Sequence, residues 1–243
     1  MSATPAESIL PLAFEGLGYA VAGRSLLRDV SARLEAGGPS IILGPNGSGK
    51  SLTLRLAHGL LEPTAGRVTW AGAEHDRVSR RQAMVFERPV LLRRSVIANV
   101  EYALALRGLS RSERPARAAE LLEKTGLSGM PKRAARVLSA GEQQRLALAR
   151  AWAVEPEVLF LDEPTGALDP AAARLVERLI ETIAQAGTKI IMTTHDMAQA
   201  RRLAEDVLFL HGGNLLEHSP AERFFAGPSS PEASAFLRGE LVW

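Results

Sequence analysis

The chain of 243 residues contains no cysteine. Disulfide bonds and thiolate metal centres are therefore excluded. Long apolar runs are also missing: the uninterrupted stretches reach only a few residues, against the about 20 that a membrane-spanning helix needs. The N-terminal MSATPAESILPLAF has no basic start leading into an apolar segment, so no secretory signal is expected. Neither sign of charge dominates. Lys plus Arg number 29 and Asp plus Glu 27, a formal charge of +2. No basic stripe is visible, so nucleic acid is not an expected partner. No internal repeats occur. What is present is apolar material, at 46% of residues. That is enough for a sizeable core in one large domain or one domain with an inserted lobe. The expectation is a soluble, cytoplasmic chain that could still sit on a membrane protein.

Strand and helix signals alternate, which favours an α/β fold. Ser40–Leu43 (SIIL) reads as a short buried strand, followed by a Gly-rich turn and a helix over 52–61 that ends near Pro63. Residues 83–86 read as another strand. From about Ser95 to Ala153 the pattern is helical. Strands return at 158–161, 189–193 and 207–210, with helices at about 170–186 and 197–203. Gly212-Gly213 marks a hairpin turn. Ser219-Pro220-Ala221-Glu222 has the form of a capping box, so a short helix should follow. The tail from Gly227 carries one further helix. The organisation is an α/β core interrupted by a helical insert, roughly residues 88–150.

Gly44-Pro45-Asn46-Gly47-Ser48-Gly49-Lys50-Ser51 fits G-x-x-x-x-G-K-[ST] between a strand and a helix, the context this motif requires. The glycines let the backbone wrap a polyphosphate with its N–H groups inward. The helix N-terminus adds partial positive charge. Lys50 would reach the terminal phosphates, the Ser51 hydroxyl would ligate Mg²⁺, and Leu52 continues the binding segment. A Gly/Ser-rich surface turn is the bland alternative. The second signal is Val158-Leu159-Phe160-Leu161 running into Asp162-Glu163. Two carboxylates at the end of an apolar strand are costly unless they meet a cation or donors. Asp162 is placed to help hold Mg²⁺ and Glu163 to polarise an attacking water. A solvated acidic turn is the alternative reading of that pair.

Between these motifs lies Leu138-Ser139-Ala140-Gly141-Glu142-Gln143-Gln144-Arg145. In this order the set resembles the ATP-binding cassette (ABC) ATPase family over nearly the whole chain. The family signature LSGGQ is met by LSAGE with two departures, Ala140 for glycine and Glu142 for glutamine. Ala167-Leu168-Asp169 resembles the D-loop, and Thr193-Thr194-His195-Asp196 the switch-histidine loop. The resemblance implies a P-loop NTPase of ABC type: a mixed-sheet core, an N-terminal antiparallel β subdomain and an inserted α-helical subdomain. The whole of 1–243 would be one ATPase domain. About 8–87 and 151–225 would form the core with the nucleotide site, about 88–150 the helical subdomain, and about 226–243 the tail.

It further implies two cassettes packed head to tail with ATP and Mg²⁺ buried between them. The signature Ser139, Ala140, Gly141 and Glu142 would then face the partner's nucleotide, with Ser139 and the Gly141 backbone contacting its γ-phosphate. Glu163 would orient water, His195 would sense the γ-phosphate and Asp169 would bridge the subunits. A satisfied strand-end histidine is the other reading of His195. Independently of the family, Ser139-x-x-Glu142 has capping-box form, so a helix should start there. Glu142 would either repel phosphate or turn back to its own cap, and the capping role is favoured. The family usually stacks an aromatic side chain on adenine. Val21 occupies that place, with Tyr19 two residues earlier on the same strand. Whether Tyr19 substitutes or Val21 serves alone stays open.

Members of this family do different jobs. Soluble repair cassettes carry long coiled-coil arms, translation cassettes come in pairs, and adenylate-kinase-like transferases have no place for 138–145 or 193–196. The expectation is the ATPase of a membrane importer on the cytoplasmic face of the inner or plasma membrane. Its partners would be ATP, a second ATPase copy, an integral permease and an extracytoplasmic binding protein. PVLLRRSVIANVEYALALRG and FFAGPSSPEASAFLRGELVW resemble tungstate-importer ATPases, with molybdate and phosphate importers as alternatives. Many molybdate-type cassettes carry a C-terminal regulatory domain, for which no room is expected after Trp243.

The segment VFERPVLLRRS at 85–95 takes the place of the family's Q-loop. Glu87 stands where Gln is usual, and Glu can ligate Mg²⁺ through a hard carboxylate oxygen. The other reading is a surface ion pair with Arg88 or Arg93. Pro89 and Val90-Leu91-Leu92 are expected to form part of a groove that receives a permease helix.

Overall fold

The computed structural model describes residues 8–71 and 75–240; the residues 241–243 of the expected tail and the first seven of the chain lie outside that range. In chain order the elements are β1 (Leu12–Val21), β2 (Arg24–Leu34), β3 (Ser40–Leu43), α1 (Lys50–His58), β4 (Ala65–Trp70), α2 (His75–Ser79) and β5 (Gln82–Val85). Then come α3 (Val96–Leu106), α4 (Arg114–Lys124), a 3-10 turn (Ala135–Val137), α5 (Ala140–Ala153), β6 (Val158–Asp162) and α6 (Pro170–Gln185). The chain closes with β7 (Lys189–Thr194), α7 (Met197–Leu203), β8 (Asp206–His211), β9 (Asn214–Pro220), α8 (Ala221–Ala226) and α9 (Pro231–Leu237). Contacts divide the chain into two units, residues 1–82 with 191–243, and residues 83–190.

The first unit contains the expected antiparallel sheet, in the order β2-β1-β4. Its inner face buries Leu12, Phe14, Leu17, Leu27, Val30 and Leu34. Beside it runs the strand series β7-β3-β8-β9, in which β3 is parallel to β7 and β8, while β9 returns antiparallel to β8. The α/β mixed-sheet expectation therefore holds. All four residues of β3 are buried, as expected of a central parallel strand covered on both faces. Gly212 and Gly213, both at positive φ, make the two-residue turn between β8 and β9, with His211 paired to Asn214.

The second unit holds α3 to α6 with β5 and β6, the latter fully buried. Helix α6 presents Val176, Leu179, Ile180 and Ile183 inward, the i, i+3, i+4, i+7 stripe of an amphipathic helix. Arg107 and Arg117 both reach Glu155, tying the end of α3 and the start of α4 to the turn after α5. At partly exposed positions such pairs contribute about 0–1 kcal/mol each.

Two local expectations need correction. The helix after the phosphate loop spans Lys50–His58, not 52–61. Gly49 starts it, and Gly59 in the left-handed region ends it, with its N–H bonded to Arg55 O and Leu56 O. The expected box at 219–222 does not form. Helix α8 begins after Pro220 without a side-chain cap, because Ser219 still belongs to β9 and its hydroxyl donates to Glu217 Oε1 at 2.8 Å.

Candidate active site

The first unit carries the phosphate loop. Gly44, Gly47 and Gly49 sit at φ +156°, +81° and +103°. A Cβ on Gly44 would stand 2.1 Å from Leu210 O, and one on Gly49 2.5 Å from Leu27 Cδ2. Both positions therefore need glycine for backbone conformation, and Gly44, which faces backbone, also for space. Lys50 is 4% exposed; its Nζ donates to Gly44 O at 2.9 Å and Pro45 O at 3.1 Å, so the ammonium lies back along the loop. Thr53 Oγ1 donates to Gly49 O at 3.0 Å and fixes the first turn of α1. No side chain caps α1, and its first turn holds no acidic residue. The helix N-terminus is thus open to an anion. Ser48 is 2% exposed, and its Oγ has no hydrogen-bond partner. A curled backbone, an uncapped helix start, a buried cation and an orphan hydroxyl fit a polyphosphate.

His195, exposed, follows β7. The next residue, Asp196, caps α7 by accepting from Ala198 N at 2.8 Å and Gln199 N at 3.1 Å, and its own N–H donates to Thr194 Oγ1. The end of β7 is thereby fixed beside the histidine. Tyr19 is half-buried and Val21 is 51% exposed, both on β1. Register shifts on both sides of Tyr19 interrupt the alternation that would place the two on one face.

The second unit carries the remaining candidates. Asp162, 4% exposed, ends β6. Glu163 follows at φ +44°, a left-handed backbone uncommon for a residue with a side chain. Asp169 Oδ1 accepts from Ala171 N at 2.9 Å and Ala172 N at 3.0 Å, so it caps α6. Ser139 caps α5 in the reciprocal box expected from sequence: Glu142 N donates to Ser139 Oγ at 3.3 Å, and Ser139 N to Glu142 Oε2 at 2.7 Å. That backbone N–H, then the Ser139 hydroxyl and the charges of Arg133 and Arg145, hold the Glu142 carboxyl below the usual carboxylate range against a smaller burial effect. Ala140 is the first helical residue and needs no positive φ. Gly141 is tighter, since a Cβ there would come within 2.8 Å of Ala172 Cβ on α6.

Glu87 lies two residues past β5, exposed, and its side chain makes no hydrogen bond or ion pair among the described residues. No pairing with Arg88 or Arg93 is formed. Pro89, Val90 and Leu92 line an apolar groove of about 390 Å³ with Phe86, Tyr102 and Leu106. Val90 is 82% and Leu106 69% exposed in it. Two positioning residues escaped the sequence reading. Asn99, fully buried on α3, accepts from Leu92 N at 3.0 Å and donates to Ser95 O at 2.9 Å. Arg150 Nη1 donates to Val90 O at 2.8 Å. The available signal was one amide and one guanidinium within otherwise apolar helical runs.

Of the hard oxygen donors expected for Mg²⁺, the first unit carries the Ser51 hydroxyl, and the second carries the buried Asp162 carboxylate and the exposed Glu87. Among the described residues no cluster of three or more His, Cys, Asp or Glu could hold a metal alone. Such oxygen donors suit Mg²⁺, which keeps waters and phosphate oxygens and takes one or two carboxylates.

A family described as ABC transporter matches residues 27–166. The phosphate import ATP-binding protein PstB 2 of Natronomonas pharaonis is 35% identical over 249 residues, covering 96% of this chain and 88% of that protein. The tungstate uptake system ATP-binding protein TupC of Peptoclostridium acidaminophilum is 38% identical over 205 residues, covering 84% of this chain and 94% of its own. Other relatives are named as ATP-binding proteins for import of Fe(3+) ions, methionine and sulfate/thiosulfate, and of an L-cystine transport system. A dimeric ATP-binding cassette in a post-hydrolysis state with ADP and Pi superposes with TM-score 0.76 at 28% identity, covering 86% of this chain and 98% of that one.

Proposed function

Because this chain belongs to the ABC transporter family, as an ATPase of it, we propose that it is the energy-coupling subunit of an oxyanion importer, tungstate first. The observation that carries the ATPase reading is the phosphate loop, with its enforced glycines, buried Lys50 and uncapped α1. The importer reading is supported by relatives that are import or uptake ATPases along most of their length. Tungstate is supported by the likeness to TupC, at the same 38% identity as the Fe(3+) and sulfate/thiosulfate relatives; phosphate, through PstB 2, and molybdate are the other readings.

In this reading two copies pack head to tail and enclose ATP. The 44–51 backbone amides and Lys50 hold the β- and γ-phosphates. Ser51, Asp162 and Glu87 hold Mg²⁺, which when bound screens the phosphate charge and orients the terminal phosphate. Glu163 accepts the proton of the water that attacks the γ-phosphorus, and His195 contacts the γ-phosphate. Ser139 and the Gly141 N–H of the opposite copy meet the γ-phosphate. Asp169 lies at the interface of the copies, and Tyr19 or Val21 lies under adenine. Glu142 stays with its own cap. The groove beside Val90 receives a cytoplasmic helix of the permease, which an extracytoplasmic binding protein supplies with anion. In this reading attachment is through the permease; among the described residues no helix is long and apolar enough to cross a membrane.

The test is ATP binding and turnover by the purified chain. Lys50→Ala should lose ATP affinity, and an unchanged affinity would reject the loop assignment. In vesicles with its permease and binding protein, tungstate should stimulate ATPase activity more than phosphate; the reverse order overturns the tungstate reading in favour of phosphate.

A further inference from the structure

The loop 86–92 is held at one end and loose at the other. Arg150 bonds Val90 O, and Asn99 bonds both N and O of Leu92. Glu87 and Arg88 are exposed and make no side-chain bond among the described residues. These two line a cavity of about 230 Å³ with Gln143 and Gln144 of α5 and with the turn at 164–168. The polar side chains at the start of α5 are otherwise engaged. Ser139 and Glu142 form the capping box, and Gln143 Nε2 donates to Leu138 O at 2.8 Å. Gln144 differs. It is 2% exposed, and its Nε2 is buried without a hydrogen-bond partner.

A buried amide of this kind calls for an acceptor. Glu87 lines the same cavity and carries a carboxylate that nothing binds among the described residues. We propose that Gln144 is a positioning residue for Glu87: its side-chain NH₂ donates to the Glu87 carboxylate and holds it in this cavity. The loop then has two resting places, one on Gln144 and one on Mg²⁺–ATP, and their balance sets how steeply nucleotide binding depends on Mg²⁺. The second resting place rests on the reading of Glu87 as a Mg²⁺ ligand given above.

Two measurements test this on the full chain. In the nucleotide-free protein, the ¹⁵N side-chain resonances of Gln144 should move on Glu87→Ala; unchanged resonances overturn the hydrogen bond. Binding of a fluorescent ATP analogue is then followed across Mg²⁺ concentrations. Gln144→Leu should lower the Mg²⁺ midpoint about tenfold, as expected for loss of one charge-assisted bond, and should leave it within about twofold in a Glu87→Ala background. An equal shift in both backgrounds, or none in either, overturns the positioning role. If Glu87→Ala keeps the wild-type Mg²⁺ dependence while the Gln144 resonances move, the metal reading of Glu87 falls and the hydrogen bond stands.

Discussion

Glu163 combines two features at one residue: a carboxylate just beyond a buried strand and a left-handed backbone. Such a backbone costs about 1–3 kcal/mol and persists where its surroundings impose it. It re-aims the side chain relative to that of Asp162, so adjacent carboxylates can take different tasks. Glu163→Gln should bind ATP normally, because the volume and the backbone are kept. Turnover should fall by roughly a hundredfold or more, because the proton acceptor is gone. Paired nucleotide-binding and phosphate-release assays measure both; near-normal turnover would sink the base assignment. At Val90 the expectation concerns the permease: Val90→Glu should weaken co-purification with it and leave ATP affinity unchanged. Loss of ATP affinity in that variant would place Val90 with the nucleotide instead.

At the scale of elements, α5 shows how a departing signature is accommodated. The box between Ser139 and Glu142 engages the carboxylate that replaces glutamine. Ser139→Ala should destabilise the fold by about 1 kcal/mol, a typical cap loss. Gly141→Ala should cost about 1–3 kcal/mol, since its methyl meets Ala172 Cβ. Ala140→Gly, which restores the family residue, should cost up to about 1 kcal/mol of helix propensity. Thermal unfolding of the three variants checks the ranking; a harmless Gly141→Ala would contradict the close approach of α5 and α6.

At the scale of the whole chain, a buried carboxylate on β9 helps to fasten the C-terminal segment, beside the packing of Phe236 on Phe209. Burial raises the pKa of Glu217, but bonds from Ser229, from Ser219 and from the N–H groups of Ser229 and Ser230 outweigh it, so the group lies below its ordinary 4.5. A depressed carboxylate stabilises the fold above its unfolded pKa, and that stability is lost as pH falls through the lower folded value. Protection from hydrogen exchange over 227–240, with each rate taken relative to its intrinsic rate at that pH, should therefore fall below about pH 4.5 in the wild type. In Glu217→Gln the rate should be raised already at neutral pH and show no further acid step from this group. A wild-type acid step that survives in the variant would assign it elsewhere.

The sequence by itself determined the α/β class, the order of motifs, the 212–213 hairpin and the Ser139–Glu142 box. Each of these is set by residues within a few positions of one another, through turn chemistry, capping and periodicity. Where a local pattern competed with a partner distant in sequence or in another element, it misled. The 219–222 box is formally correct, yet β9 holds Ser219 in the ladder and Glu217 takes its hydroxyl. Only the tertiary structure decided that Asn99 and Arg150 pin the loop at 90–92, that Gly141 abuts Ala172, and that Gln144 and Glu87 share one cavity. Hydrogen bonds and close packing across tens of residues leave no spacing in the sequence to read. They arise when burial brings those segments together and obliges each polar group to find, or to lack, a partner.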